Sequence, residues 1–597
     1  VVDRKPDWPL QKPSVDRKKI FKHMKKAEKA STRHAHKFLV KRLDTIRVAR
    51  RHIVQWLILI SVLIAATGLQ LTWAQSSYQT LGSAKGGTYA EAMVGAIDTL
   101  NPLYATTEPE VAASRLLFSS LYTFDTAGTL SKNLAESMTV DKSGKAYTVK
   151  IRSDAYWHDG QKLTANDVAF TINLIKKPAA MSPLRINWQD VNVRAVDDVT
   201  VEFTLPARYA AFPHALTFAV LPAHILNDVP AGAIRENTFS RYPVGSGPFA
   251  FRLMQTVGGQ EGYKIVQMAA FDKYFKGTPT VARFEVHAHT SSQNAIKSLK
   301  SGVANAVSGV PPSDMGQLAS AGYSVSRHQV NSGVYALFNV ARPALRDKTV
   351  RQALQLGTDT RALRSQLAVP VPRLDLPFVN GQLSGKGIPS APAANRQKAE
   401  ALLDKAGWKL IDGIRQKGKE KLTLTITTTK DQQYEKMMEG IAAQWRSLGI
   451  VVATNVIDPS LPGTNFVQSI LQPRSYDVLI YELLIGADPD VYAYWHSSQA
   501  GSSGYNFSNY SNATADAALV SARSVLSPDL RNAKYKTFAK LWLDDVPAIG
   551  LYQPVVVYAT GEHIASVEES MPFVSAADHY SNVLEWSVRE RTVYKTP

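Results

Sequence analysis

Two aspartates one residue apart, Asp488 and Asp490 in the string GADPD, are the first groups in this 597-residue chain that invite a chemical reading. A pair of carboxylates across a cleft can hydrolyse a bond by acid–base catalysis, as on a surface hydrolase, but carboxylates on separated strands would suit that work better. Other strings are weaker. His158-Asp159-Gly160 stands between a strand and a capped helix, which describes a tight turn at Gly160. Gly245-Ser246-Gly247 has neither the G-x-S-x-G of a nucleophile elbow nor the lysine of a phosphate loop. His287 and His289 share a strand face without a third ligand at metal spacing. The chain has no cysteine, which excludes disulfides, thiolate metal sites, a cysteine nucleophile and a lipidated cysteine anchor. No metal or cofactor is expected.

The elements that must position any site alternate between strand and helix. Residues 146–152 and 200–205 are strand-like, and Thr164 with Asp167 makes a capping box that opens a helix through Ile175. Farther on, 422–428 is β-rich, 432–448 is helical and closed by Gly449, and 450–457 is β-rich again, a βαβ unit. A strand over 476–485 and a helix over 396–406, ended by Gly407, complete a parallel-sheet lobe with helices on its faces.

Residues 53–73 are mostly apolar and carry no charge; as a helix rising about 1.5 Å per residue they would cross a hydrocarbon core of roughly 30 Å. Residues 1–52 hold 17 Lys and Arg against 5 Asp and Glu, in a chain of 68 against 50. Basic residues beside a span hold that end in the cytoplasm. The expectation is therefore a basic cytoplasmic arm (1–52), a single transmembrane helix (53–73), a flexible Ser/Gly linker (74–87) and a large external part. A cleaved signal peptide is the alternative, with Thr72-Trp73-Ala74 as a passable cleavage site. The arm spaces Ile20, Met24 and Ala27, then Leu39, Leu43 and Ile46, as a helix would, among basic residues. Such a segment can lie on an anionic leaflet or serve only as a topology signal; without an aromatic platform, no nucleic-acid partner is expected. The external part exceeds the roughly 250–300 residues at which a single core stops growing, so two or more lobes are expected.

The run WHDGQKLTANDVAF at 157–170 resembles the signature of the family 5 extracellular solute-binding proteins, the dipeptide and oligopeptide receptors of ABC importers. LNP at 100–102, GSGPF at 245–249, Tyr274-Phe275 before Gly277, VRQAL at 350–354, KAGW at 405–408, GADPD at 486–490 and WHSSQ at 495–499 follow the family's order. The resemblance implies an α/β fold of the two-lobed periplasmic binding type (type II), with an extra subdomain on lobe one and here a single transmembrane helix in front. Mapped by string order, lobe one is 86–287 plus 504–590, with the subdomain near 127–240, and lobe two is 288–503. It also implies a monomeric receptor that encloses a peptide or other small solute between hinged lobes and works with ABC permease and ATPase subunits. A non-peptide ligand or a sensory receptor without a transporter is compatible with the same strings.

In similar peptide receptors an aspartate of lobe two pairs with the peptide α-ammonium, and its place in the family's string matches Asp488. Asn506 lies where relatives set an asparagine against the peptide backbone. Thr106 and Thr107 follow the LNP string in a loop that faces the cleft in this family. Tyr481 and Trp495 are candidates for pocket walls. No catalytic residue is expected.

Overall fold

The computed structural model describes residues 17–35, 37, 41–258, 262–459, 461, 463–568 and 571–594. It divides into two compact units, Val1–Gly82 with Arg591–Pro597, and Ser83–Glu590.

The first unit contains the helices Arg17–Ala35 and Lys41–Tyr78. Within the second helix, Ala49–Trp73 is an unburied stretch of 25 residues, the one helix among the described residues that is long and apolar enough to cross a membrane. Much of the segment expected as a flexible linker is instead regular. The helix runs through Tyr78, and Gln79–Ser83 pairs with Glu590–Tyr594. A nucleated helix adds one hydrogen bond per residue fixed, and after Trp73 no glycine or proline interrupts it before Gly82.

In Ser83–Glu590, the larger of two main sheets runs from edge to edge as Ser324–Gln329, Val555–Thr560, Ala306–Ser308, Thr88–Val94, Arg283–His289, Tyr263–Ala270 and Phe249–Val257. Thr88–Val94 is parallel to both neighbours. Its side chains alternate, Tyr89 and Met93 entering one apolar cluster and Ala90 and Ala92 another. Beside this sheet stands an antiparallel one, in the order Ala135–Val140, Ala146–Ile151, Thr200–Thr204 and Asn192–Asp197. The helix Ala165–Lys176 packs on it and starts at the Thr164/Asp167 capping box.

The second main sheet runs Val451–Ile457, Thr423–Thr429, Val478–Leu484, Ser332–Phe338 and Ala548–Tyr552. The βαβ unit forms around the helix Gln432–Arg446, which Asp431 caps, and its strands are parallel. Ser332–Phe338 is antiparallel to both neighbours, so the sheet is mixed where a parallel one was expected. All seven residues of that strand are buried, with Val334, Ala336 and Phe338 on one face and Tyr335 and Leu337 on the other.

Sheet membership moves both lobe boundaries from 288 and 504. Ala306–Ser308 and Ser324–Gln329 pair with strands of the first sheet, so the chain first crosses between Gln329 and Ser332. The helices Ala513–Ser524 and Pro528–Asp545 bury Leu519, Tyr535, Phe538 and Trp542 in a cluster with Tyr335 and Leu337 of the second sheet, so the return crossing lies between Tyr552 and Val555. Gln553 ties the crossings together. Its amide nitrogen donates to the Val330 carbonyl at 3.0 Å, its oxygen accepts from Asn380 Nδ2 at 3.0 Å, and Val330 N–H donates to the Pro554 carbonyl at 3.1 Å.

Candidate functional site

Asp488 stands just past Val478–Leu484, in the turn made by Gly486. Both its carboxylate oxygens are already engaged. Arg531, on Pro528–Asp545, donates from Nη2 to Oδ1 at 2.7 Å and from Nη1 to Oδ2 at 2.9 Å, and His214 Nδ1 is 3.8 Å from Oδ2. Asp490 forms its own ion pair with Arg523 at 3.0 Å. Burial raises the Asp490 carboxyl above the ordinary range, with Arg523 opposing and Asp488 adding. The Arg523 guanidinium lies 4.7 Å over the Tyr209 ring and 4.6 Å over Tyr492, and its carbonyl accepts from Ala210 N–H at 2.9 Å. Tyr209 and His214 flank Phe212, which packs on Tyr147 and Phe203 of the antiparallel sheet. Asp488 and Asp490 thus sit where the extra subdomain touches the second lobe.

The other expected site residues fill structural places. Asn506 is fully buried; its amide donates to the His496 and Tyr510 carbonyls at 3.1 and 2.9 Å and accepts from Tyr510 N–H at 3.1 Å. Trp495 is fully buried against Tyr335 and Trp542. Tyr481 packs its ring between Phe466 and Phe507. Thr107 caps the helix Glu108–Leu117, its hydroxyl donating to the Ala96 carbonyl at 2.6 Å, and Thr106 donates its N–H to Glu110. Glu110 also accepts from the N–H groups of Asp98, Thr99 and Thr107, and although burial works against it, these four donors hold its carboxyl below the ordinary range. None of the six lines the volume between the lobes.

That volume, about 460 Å³, opens between the two sheets. The first lobe contributes Glu108, the loop from Gly309 to Ser313 and Val555 to Val557; the second contributes Val334, Asp431, Tyr434, Lys436, Glu482 and Leu484. Two of these adjoin residues chosen from the sequence. Glu108 is the first helical residue after the Thr107 cap, so the capping box aims it into the cleft. Glu482 follows Tyr481 in a strand, so the two occupy opposite faces, Tyr481 toward the aromatic core and Glu482 toward the cleft.

The cleft is acidic in a basic chain. Glu108, Asp431 and Glu482 face it with Lys436 as the one cation in its lining among the described residues, whereas the chain carries a formal +18. Tyr434 donates to Glu482 at 2.9 Å, and burial together with that carboxylate holds its hydroxyl protonated. Burial lifts the Glu108 carboxyl above the ordinary range, with His579 opposing and Glu91 adding, and its exposure to cleft water screens the effect. Gly309, at φ +67°, adopts a left-handed conformation that favours glycine, and a Cβ there would have to push the Glu108 carboxylate aside. Beneath Glu108 and Gly309 a small void of about 20 Å³ is lined in part by His579, which donates at 3.0 Å to the fully buried Glu91, an acceptor also of the Tyr580 hydroxyl at 2.8 Å.

The two strings set aside as chemistry meet elsewhere. His158 Nε2 donates to the Gly247 carbonyl at 3.0 Å, and its Nδ1 accepts from Gly245 N–H at 3.2 Å. Burial holds this imidazole neutral by lowering its pKa to about 4. Among the described residues no group of three or more His, Asp or Glu could hold a metal ion.

A family model described as bacterial extracellular solute-binding proteins, family 5 Middle, matches residues 129–506. The oligopeptide-binding protein AppA of Bacillus subtilis is 28% identical over 530 residues, covering 84% of this chain and 92% of the relative. The solved structure of AppA from Bacillus subtilis in complex with a nonapeptide is similar at a TM-score of 0.68 and 27% identity, covering 85% of this chain and 100% of that one. NikZ from Campylobacter jejuni in complex with Ni(L-His) is similar at a TM-score of 0.70 and 25% identity, covering 84% and 99%.

Proposed function

The chain belongs to the bacterial extracellular solute-binding proteins of family 5, and from that premise we infer that it captures peptides between two lobes and delivers them to an ABC importer. The observation that carries the reading is the cleft of about 460 Å³ with walls from both main sheets, within the roughly 300–1,000 Å³ of small-ligand sites. Its carboxylates favour a ligand with a positive group, and Glu108 and Glu482, from opposite lobes, are the residues we assign to that group. We read Asp488 as a structural partner of Arg531, because an ammonium would have to displace a bidentate guanidinium to reach it. We read the site as binding without chemistry, since each member of the Asp488/Asp490 pair is held by its own arginine.

The functional lobes follow the sheets, lobe one resuming at Val555 and lobe two running from Ser332 to Tyr552. The helix containing Ala49–Trp73 is the membrane anchor in this reading, with the basic arm in the cytoplasm and Ser83–Glu590 outside. Permease and ATPase subunits are the implied partners of a monomeric receptor. Mass spectrometry of whatever co-purifies with the protein, followed by calorimetric titration of tri- to nonapeptides, tests the assignment. Saturable binding that N-acetylation weakens in peptides lacking Lys and Arg supports it, and a protein that binds no peptide refutes it. Extraction of membranes at alkaline pH tests the anchor separately.

A further inference from the structure

The helix Arg17–Ala35 carries a charge distribution that solute capture leaves unused. It holds eight Lys and Arg and one acid, Glu28. At about 100° per residue, the seven cations from Lys18 to Arg33 fall within one arc of roughly 120°, and Phe21, Met24 and Ala27 fall within a similar arc on the opposite side, which they share with Glu28 and Ser31. Both arcs are open, Phe21 being 68% and Met24 61% exposed.

In water this helix opposes itself. Lys18 with Lys22, Lys22 with Lys26, Lys25 with Lys29 and Lys29 with Arg33 are like charges four residues apart, each of which weakens a helix. Phe21 and Met24 standing in water are a second penalty. A surface that neutralises the cations and accepts the apolar arc would remove both penalties. An interface of anionic phospholipid does so, with Phe21 and Met24 below the headgroups and the flanking lysines reaching the phosphates on their flexible stems. Five residues join this helix to the one that contains the apolar stretch, so the two helix ends lie at most about 22 Å apart, and the helix from Lys41 to Ala49 adds only about 12 Å before that stretch begins, which keeps the arm close to any bilayer the stretch crosses.

We infer that Arg17–Ala35 is an interfacial helix that binds an anionic phospholipid bilayer. Its placement beside the membrane rests on the anchored reading, so the test separates the two. The full chain is reconstituted in nanodiscs of phosphatidylcholine alone or with one quarter phosphatidylglycerol; co-migration with the discs reports the anchor, and amide exchange over 17–35 reports the helix. Exchange should be about tenfold slower with phosphatidylglycerol. The slowing should vanish in 0.5 M NaCl and in Lys22→Glu/Lys26→Glu, and shrink in Phe21→Ser/Met24→Ser, which keeps every cation. These variants leave Arg47, Arg50 and Arg51 beside the apolar stretch unchanged, so orientation is preserved. Equal exchange in both discs would overturn the inference. So would slowing that Phe21→Ser/Met24→Ser leaves intact, which means adsorption without insertion, or slowing by duplex oligonucleotide and not by phosphatidylglycerol.

Discussion

Replacing Arg531 by Met should destabilise the protein more than any other single change at the subdomain contact. The Arg531 and Asp488 side chains are 14% and 8% exposed, and both guanidinium–carboxylate bonds are short, so the pair is buried and bidentate. Removing one partner strands the carboxylate at a distance of 3.8 Å from His214, and breaking a buried pair in this way costs about 3–5 kcal/mol. We take the lower end, about 3 kcal/mol, because the Asp488 edge keeps some contact with water. At roughly 2–4 °C per kcal/mol for a lobe of this size, the lobe-two transition should fall by about 6–12 °C in scanning calorimetry. Arg531→Met/Asp488→Leu removes the charge along with its partner and should recover to within about 1 kcal/mol of the unmodified protein. A double variant as unstable as the single one would refute the assignment of the loss to a stranded charge.

Three further outcomes are expected. Glu482→Gln keeps the Tyr434 contact but removes charge, and it should weaken binding of a basic tripeptide about tenfold, with a neutral acetylated tripeptide nearly unaffected, read by calorimetric titration. His158 has a folded pKa of about 4 against an ordinary 6.5, so its neutral form contributes stability that is complete above pH 6.5 and is lost as pH falls toward 4; the gap is worth about 3 kcal/mol, and urea melts of His158→Gln at pH 7.5 and 4.5 should show that much less pH dependence. Gln553→Ala removes the amide that joins the crossings, leaving the Val330 carbonyl without that donor, and should lower stability by about 1–3 kcal/mol while shifting small-angle scattering toward a more open form.

Much of the scaffold was legible because its signals are local. The Thr164/Asp167 box and the glycine at 449 each act within one turn of chain, and the helices they bound formed as expected. The β-rich composition of 422–428 and 450–457, with a helix between them, was equally sufficient for the parallel pair. What sequence could not supply is long-range. Arg531 lies 43 residues beyond Asp488, and nothing in the GADPD string announces that its carboxylate is occupied. The lobe boundaries failed for a similar reason, since Ala306–Ser308 declares its sheet only by pairing with strands near 91 and 559. The sequence also did not show that Glu108 and Glu482, each beside a residue it singled out, line the cleft. Thr107 is the cap that precedes Glu108, and Tyr481 turns to the aromatic face of the strand whose other face carries Glu482. A carboxylate next to a capping box or an aromatic core strand is the local signal for both.

Because the helices bearing Arg523 and Arg531 belong to the same lobe as Asp490 and Asp488, both ion pairs travel as one rigid block when the jaws part. What separation must break at this contact includes the Ala210 hydrogen bond, the face-on approach of Arg523 to Tyr209 and the approach of His214 to Asp488. The first two together amount to about 1–3 kcal/mol. From those two the closed form therefore holds a lead of roughly five- to 150-fold, small enough for binding to tip and for release to reverse, while the two arginine–aspartate pairs stay intact throughout.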